Sequence, residues 1–229
     1  MAMTMPFSIL DSTDMQLFSV GDSVHFQLTI DENQAIAYNF ILQGKGTLPN
    51  YNDSWDDEYI QLNIGEIFND ASFLDLDSNN VSLSDSDGKF RFISYIFTRC
   101  PMPAMCPAVI SKNRYLAEAF LKNVELEFIL VSFDYIYDKP SIMKSLYKSH
   151  AETYPNLKFY SSFNHLNDIF MMAGQSNVSF WGVNENEIGH TLRSVIIDPE
   201  RRLLKAYDGM DWMPEEAEWE INNILRAYN

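Results

Sequence analysis

The stretch Phe90-Arg91-Phe92-Ile93-Ser94-Tyr95-Ile96-Phe97-Thr98-Arg99-Cys100-Pro101-Met102-Pro103-Ala104-Met105-Cys106-Pro107 decides how this chain is read. Its first eight residues form a nearly unbroken apolar run, the mark of a strand covered on both faces. Directly after it come the two cysteines of the chain, Cys100 and Cys106. Pro101 and Pro103 disfavour helix at Cys100 and Met102, so an irregular loop is expected there, whereas Pro107 suits the first turn of a helix. Open α/β sheets gather their sites beyond the carboxyl ends of strands, which is where this pair falls. Cys106 at the helix mouth and Arg99 beside Cys100 are both expected to favour thiolate, so one or both thiols should be acidified.

Outward from this strand the pattern alternates. Ser72 to Leu76 and Val81 to Leu83 read as short strands before it. Cys106 to Lys122 reads as an amphipathic helix, Leu126 to Phe133 as a second buried strand, Ser141 to Thr153 as a helix and Leu157 to Ser161 as a strand. Leu166 to Ala173 is a third helix. Leu192 to Asp198 and Leu203 to Tyr207 form an antiparallel pair across the turn at Pro199 to Arg202, and Pro214 to Tyr228 closes the chain as a helix. The sum is an α/β sandwich with a mixed sheet.

The beginning of the chain differs. Met5 to Leu10, Ser23 to Ile30 and Ala35 to Leu42 read as strands, the second with Val24, Phe26, Leu28 and Ile30 alternating. From Gly44 to Glu66 the composition turns polar, with Gly44, Gly46, Pro49 and the acidic Asp53, Asp56, Asp57 and Glu58. The organisation expected is therefore a small partial β-barrel segment over 1–44, a linker over 45–65 and an α/β domain over 66–229.

Composition narrows the partners. The 229 residues carry 16 Lys+Arg against 32 Asp+Glu, a formal charge of -16 that repels phosphate backbones, so no nucleic acid partner is expected. Hydrophobic residues make up 46%, enough for a folded core. No run of 18 apolar residues occurs, so the chain as given is expected to be soluble, and Met1 to Pro6 lack the regions of a signal peptide.

Two thiols six positions apart can be a soft-metal site, a dithiol/disulfide couple, a short structural disulfide or a pair of inert buried thiols. C-x5-C is not a zinc spacing, and no second cysteine pair completes a structural zinc site. Of the four histidines, His25 lies in an N-terminal strand and His150 and His165 lie in the helical middle. His190, in Gly189-His190-Thr191 just before a strand, sits in a loop whose glycine permits close backbone approach. Two thiolates and one imidazole suit Cu(I), and also Cu(II) or zinc. Asp134 and Asp138 border the second buried strand, where they either cap the following turn or tune a metal from outside its ligands. Arg99 and Arg193 leave a peroxide-reducing thiol open as a further chemistry.

At these residues the sequence resembles the Sco/SenC family of thioredoxin-fold, copper-binding assembly factors. The resemblance runs from about Glu66 to the C-terminus. It rests on Phe97-Thr98-Arg99-Cys100-Pro101 with Cys106-Pro107, on Val131-Ser132-Phe133-Asp134, and on Gly189-His190-Thr191-Leu192-Arg193 with Ile197-Asp198-Pro199. It implies a thioredoxin-like domain whose copper ligands are Cys100, Cys106 and His190. The implied role is delivery of copper to, or reduction of the cysteines of, a cytochrome c oxidase-type copper site, with a copper-accepting oxidase subunit or another copper protein as partner; the alternative is a thiol-disulfide oxidoreductase using Cys100 and Cys106. It also implies a protein that is periplasmic or membrane-anchored facing the periplasm, which leaves room for an anchor upstream of Met1. The family's cysteines follow C-x3-C, whereas five residues intervene here, so bite angle and redox potential should differ; Met102 and Met105 within the loop add thioethers that could join a copper sphere. Ala2-Met3-Thr4-Met5-Pro6-Phe7 with Gly21 to Phe26 resembles the CusF-type copper-binding barrel, which implies Met3 and Met5 as soft ligands facing one side of a strand.

Overall fold

The computed structural model describes residues 8–9, 18–19, 22–30, 35–46, 61–183 and 188–228. The chain divides near residue 58 into two compact units.

In the first unit β1 (Ser8–Ile9), β2 (Asp22–Ile30) and β3 (Ala35–Lys45) form a sheet in the order β1-β3-β2. β2 and β3 are antiparallel and β1 runs parallel to β3. The register shifts between Ser23 and Val24 and between His25 and Gln27. Opposite the second shift Asn39 takes a φ of 56°, a left-handed conformation that asparagine tolerates better than most residues. The expected alternation does not bury β2: Phe26 and Leu28 remain 37% and 38% exposed, and Ala37 is the buried apolar residue among those described. Phe40 gathers Phe18 and Phe26 around it at ring-centroid distances of 5.7 and 5.5 Å.

The second unit holds β4 (Ser72–Leu74), β5 (Asn80–Ser82), β6 (Phe90–Ile96), α1 (Cys106–Ala119), β7 (Leu126–Ser132), α2 (Pro140–Thr153) and β8 (Leu157–Ser161). It continues with α3 (Leu166–Gln175), β9 (Phe180–Trp181), β10 (Gly189–His190), β11 (Arg193–Ile197), β12 (Leu203–Asp208) and α4 (Pro214–Tyr228). Seven strands line up as β12-β11-β6-β7-β8-β4-β5. β6, β7 and β8 are parallel, and β11, β12, β4 and β5 join antiparallel, which is the mixed sheet expected. Every residue of β6 and of β7 is buried, in keeping with their continuous apolar runs. α1 packs on β6 and β7 and on α4.

Arg91 is the exception inside β6. Fully buried, it donates from Nη1 to Leu83 O and Asp87 Oδ1, both at 2.9 Å, and from Nη2 to Asp198 O at 2.8 Å and Pro199 O at 3.2 Å. One guanidinium thus ties the start of the central strand to two neighbouring turns, satisfying carbonyls that burial would otherwise strand.

Candidate functional site

The sheet topology itself delivers the site. β6 ends at Ile96, and its thiol loop follows at once. β11 pairs antiparallel with β6 through Ser194 and Ser94, so the start of β11 lies beside the end of β6. Residues just before β11 therefore come to the same end of the sheet as the cysteines. His190 is among them, placed in β10, which pairs with β9 in a short antiparallel ribbon. The loop expected at His190 is in fact strand, too short for any periodicity to announce it.

In the thiol loop the Met105 N–H donates to Met102 O at 3.0 Å, closing a turn that delivers the chain into α1. Pro107 occupies the first turn, as its locked φ favours. Both cysteines are free thiols; Cys106, the first residue of α1, is 1% exposed, whereas Cys100 is half-buried. The Cys106 thiol donates to the Cys100 sulfur, and this bond is the main cause holding Cys100 down to about 4 from an ordinary 9.0. His190 and the backbone N–H groups of Cys106 and Met102 add to it against the opposing effect of burial. Cys106 moves the other way, raised by donating to Cys100, by burial and by the charge on Cys100. The expectation that Cys106 gains acidity from the helix mouth is corrected accordingly: the free amide at the start of α1 serves the neighbouring sulfur, and depth keeps Cys106 protonated.

His190 is 1% exposed, with the rings of Phe97 and Phe133 at 5.3 and 5.0 Å. Its Nδ1 lies 3.0 Å from Thr191 O, which can only accept, so Nδ1–H is the donor. Nε2 is buried with no hydrogen-bond partner, and Cys100 is near enough for its thiol to feel this imidazole. Cys100, Cys106 and His190 thus meet in one place. Among the described residues no three His, Cys, Asp or Glu side chains already stand in a metal-ligating arrangement.

Behind the loop stand two buried carboxylates. Asp134 Oδ2 accepts from Arg99 Nε and Nη2, both at 2.8 Å, and the same guanidinium stacks 4.7 Å from the Tyr137 ring centre. Arg99 is expected beside Cys100 as a cation; it is instead paired with Asp134, and the bonds that depress Cys100 come from elsewhere. Asp138 Oδ2 accepts from Thr98 N at 2.8 Å and Ser132 Oγ at 2.6 Å, and Oδ1 accepts from Thr98 Oγ1. Burial pushes the Asp138 carboxyl up, opposed by the Ser132 and Thr98 bonds. These two aspartates anchor Thr98 and Arg99, the residues that lead into Cys100. Thr98 carries no sequence signal of its own for this role; the signal available is an aspartate pair four apart after a buried strand.

Arg193, the other cation considered for peroxide chemistry, pairs with Asp208 at 2.7 Å. Met3 and Met5 lie outside the described residues.

The sequence pattern of the SCO1/SenC family matches residues 63–226. The chain belongs to the SCO1/SenC family. The N-terminal unit and its resemblance to a CusF-type barrel fall outside that match. Arabidopsis thaliana ScoI with copper bound is 20% identical with a TM-score of 0.58, over 72% of this chain and 100% of that one. A SCO1/SenC family lipoprotein from Bacillus anthracis is 19% identical with a TM-score of 0.60, over 71% and 95%. BsSco, a Sco family cytochrome c oxidase assembly protein in which a disulfide switch is identified, is 21% identical with a TM-score of 0.55, over 72% and 96%. No curated protein matches the chain. At these identities the structural likeness establishes the fold, the thioredoxin-like α/β arrangement of the SCO1/SenC family.

Proposed function

We propose that this chain binds one copper ion as cargo through Cys100, Cys106 and His190 and serves a cytochrome c oxidase-type copper site, by delivering the metal or by preparing that site's thiols. The observation that carries the reading is the half-buried Cys100 beside the Cys106 thiol and beside His190, whose buried Nε2 has no hydrogen-bond partner. Two sulfurs and one nitrogen are a donor set suited to Cu(I), and the thiol protons that copper would displace lie between these same groups. Copper bound to the Arabidopsis relative and the assembly role of BsSco support the cargo and the client class. The Bacillus anthracis relative, a lipoprotein, supports a membrane-anchored protein working outside the cytoplasm. Among the described residues no helix is long and apolar enough to cross a membrane.

Titration of the reduced protein with Cu(I) against a colourimetric chelator tests the proposal. One equivalent per chain is expected, abolished by Cys100→Ala or Cys106→Ala and weakened by at least about tenfold by His190→Ala, the lower bound of what even outer-shell partners contribute. Unchanged affinity in His190→Ala refutes this ligand set.

A second reading, thiol-disulfide exchange, is favoured by one specific observation: the accessible thiol is the acidified one and the buried thiol is held protonated. Thiolate attack from Cys100 and resolution by Cys106 would follow. Because the Cys100 shift is downward, its contribution to stability is complete above 9.0, declines as pH falls and is gone below about 4. Alkylation of Cys100 is expected to be flat between roughly pH 6 and 8, since the thiolate fraction is already saturated. Cys106→Ala removes the largest cause of the shift and should turn that plateau into a slope. A wild-type rate that climbs tenfold per pH unit over this interval would rule out a pre-formed thiolate.

A further inference from the structure

We infer that Trp181 is the positioning residue of the histidine arm: its indole, laid across Gly189, holds β10 in the register that keeps His190 beside Cys100. This rests on the copper or thiol site proposed above. Among the described residues β9 and β10 pair through Gly189 with Trp181 and His190 with Phe180, and two-stranded ribbons of this size are marginal alone. The Thr191 N–H donates to Ser179 O at 2.8 Å and the Ser179 N–H to Thr191 Oγ1 at 2.9 Å, extending the ribbon by one pair. His190 cannot fix itself, because the partner of its Nδ1 is the carbonyl of the next residue, which moves with it.

The two faces of the ribbon do different things. Phe180 and His190 are both 1% exposed and share the ring of Phe133, which stacks on Phe180 at 5.1 Å. On the alternate face Trp181 is partly exposed, and a Cβ built on Gly189 would fall 2.2 Å from its Cε2 and 2.4 Å from its Nε1. The indole therefore occupies the place of a side chain at 189 and contacts bare backbone. An aromatic ring across the strands from a glycine supplies the packing that the glycine lacks. A slip of one residue would turn His190 to the opposite face, so a contact that pins the register pins the imidazole.

The test uses Trp181→Ala, Trp181→Phe, Gly189→Ala and the Gly189→Ala/Trp181→Ala double variant of the whole chain. Two readouts are taken: amide exchange at Thr191 in metal-free protein, and Cu(I) affinity by chelator competition. Trp181→Ala is expected to speed Thr191 exchange and to lower Cu(I) affinity about fivefold, the equivalent of a strong cross-strand pair, while Trp181→Phe restores most of both. Gly189→Ala should impair the native background through the clash but add nothing once the indole is gone. Unchanged Thr191 exchange in Trp181→Ala, or a Gly189→Ala effect undiminished in the double variant, overturns the inference. Failure of the wild-type chain to take up Cu(I) would instead sink the proposed cargo, with the exchange and double-variant arms still deciding the role of Trp181.

Discussion

In the seven-stranded sheet both β6 and β7 are buried along their whole length, whereas in the three-stranded sheet Phe26, Leu28, Ile41 and Leu42 remain 37%, 38%, 61% and 53% exposed. The strands β2 and β3 are longer than β6 and β7, and the difference lies in what covers them. A strand closed on both faces has its side chains fixed by neighbours on all sides, so the loop leaving it starts from a determined position. The candidate site hangs from such a strand. The three-stranded sheet has cross-strand hydrogen bonds but little buried apolar area, and contact of that kind holds side chains loosely.

The contrast is tested most severely by truncating one phenylalanine in each sheet. Phe92 is fully buried, with Phe128, Tyr207 and Trp212 ring centres at 5.9, 5.4 and 5.7 Å. Phe92→Ala should cost about 3–5 kcal/mol in urea unfolding, the transfer of the ring plus the cavity it leaves. Phe26→Ala, at a position already 37% exposed, should cost below about 1 kcal/mol. Comparable losses in the two variants would show that the three-stranded sheet is buried in solution after all.

Charge gives the next largest difference. Arg91→Ala should cost about 3 kcal/mol, because it leaves the buried carbonyls of Leu83 and Asp198 without the donor they have now. Those carbonyls outweigh the Asp87 pair, since Asp87 is 42% exposed and its attraction is screened. In the other sheet Lys45 pairs with Asp22 while 74% exposed, and Lys45→Ala should be indistinguishable from wild type in the same assay.

How far the sequence carried depends on which of these environments a residue occupies. The buried strands Phe90–Ile96 and Leu126–Ser132 and the closing helix Pro214–Tyr228 are legible because their signals are local: continuous apolar runs in two cases, and proline with two glutamates at a helix start in the third. The meeting of Cys100, Cys106 and His190 is legible too, since strand order and a hairpin place them at one sheet end. The division of acidity between the thiols is not, because it depends on which sulfur lies deeper, and depth is a tertiary quantity. The same holds for Thr98 and Asp138, whose bonds cross 40 positions of sequence, and for Arg91, a charge hidden in an apolar run. On β2 the period-2 pattern correctly gives the strand, but alternation alone cannot supply the surface that would bury it.

The smallest contrast is between one amide pair in each region. Asn113 on α1 is fully buried and donates from Nδ2 to Ser94 Oγ and to Val109 O, both at 2.9 Å. Ser94 Oγ also meets Ser194 Oγ at 2.7 Å, so a short polar chain links the helix that begins at Cys106 to β6 and β11. Asn113 Oδ1, however, is buried without a partner, and Asn113→Ala removes that unsatisfied acceptor along with the two donated bonds. The losses and the relief partly cancel, leaving an expected cost of about 1 kcal/mol, since Ser94 keeps its bond to Ser194. Gln27, whose Oε1 accepts from Asn39 Nδ2 at 2.6 Å in the open sheet, has water as a ready substitute, so Gln27→Ala should fall within about 0.5 kcal/mol of wild type. If Asn113→Ala proves equally silent, the polar chain under α1 contributes nothing net, and the rigidity of the thiol-bearing helix must come from its apolar contacts alone.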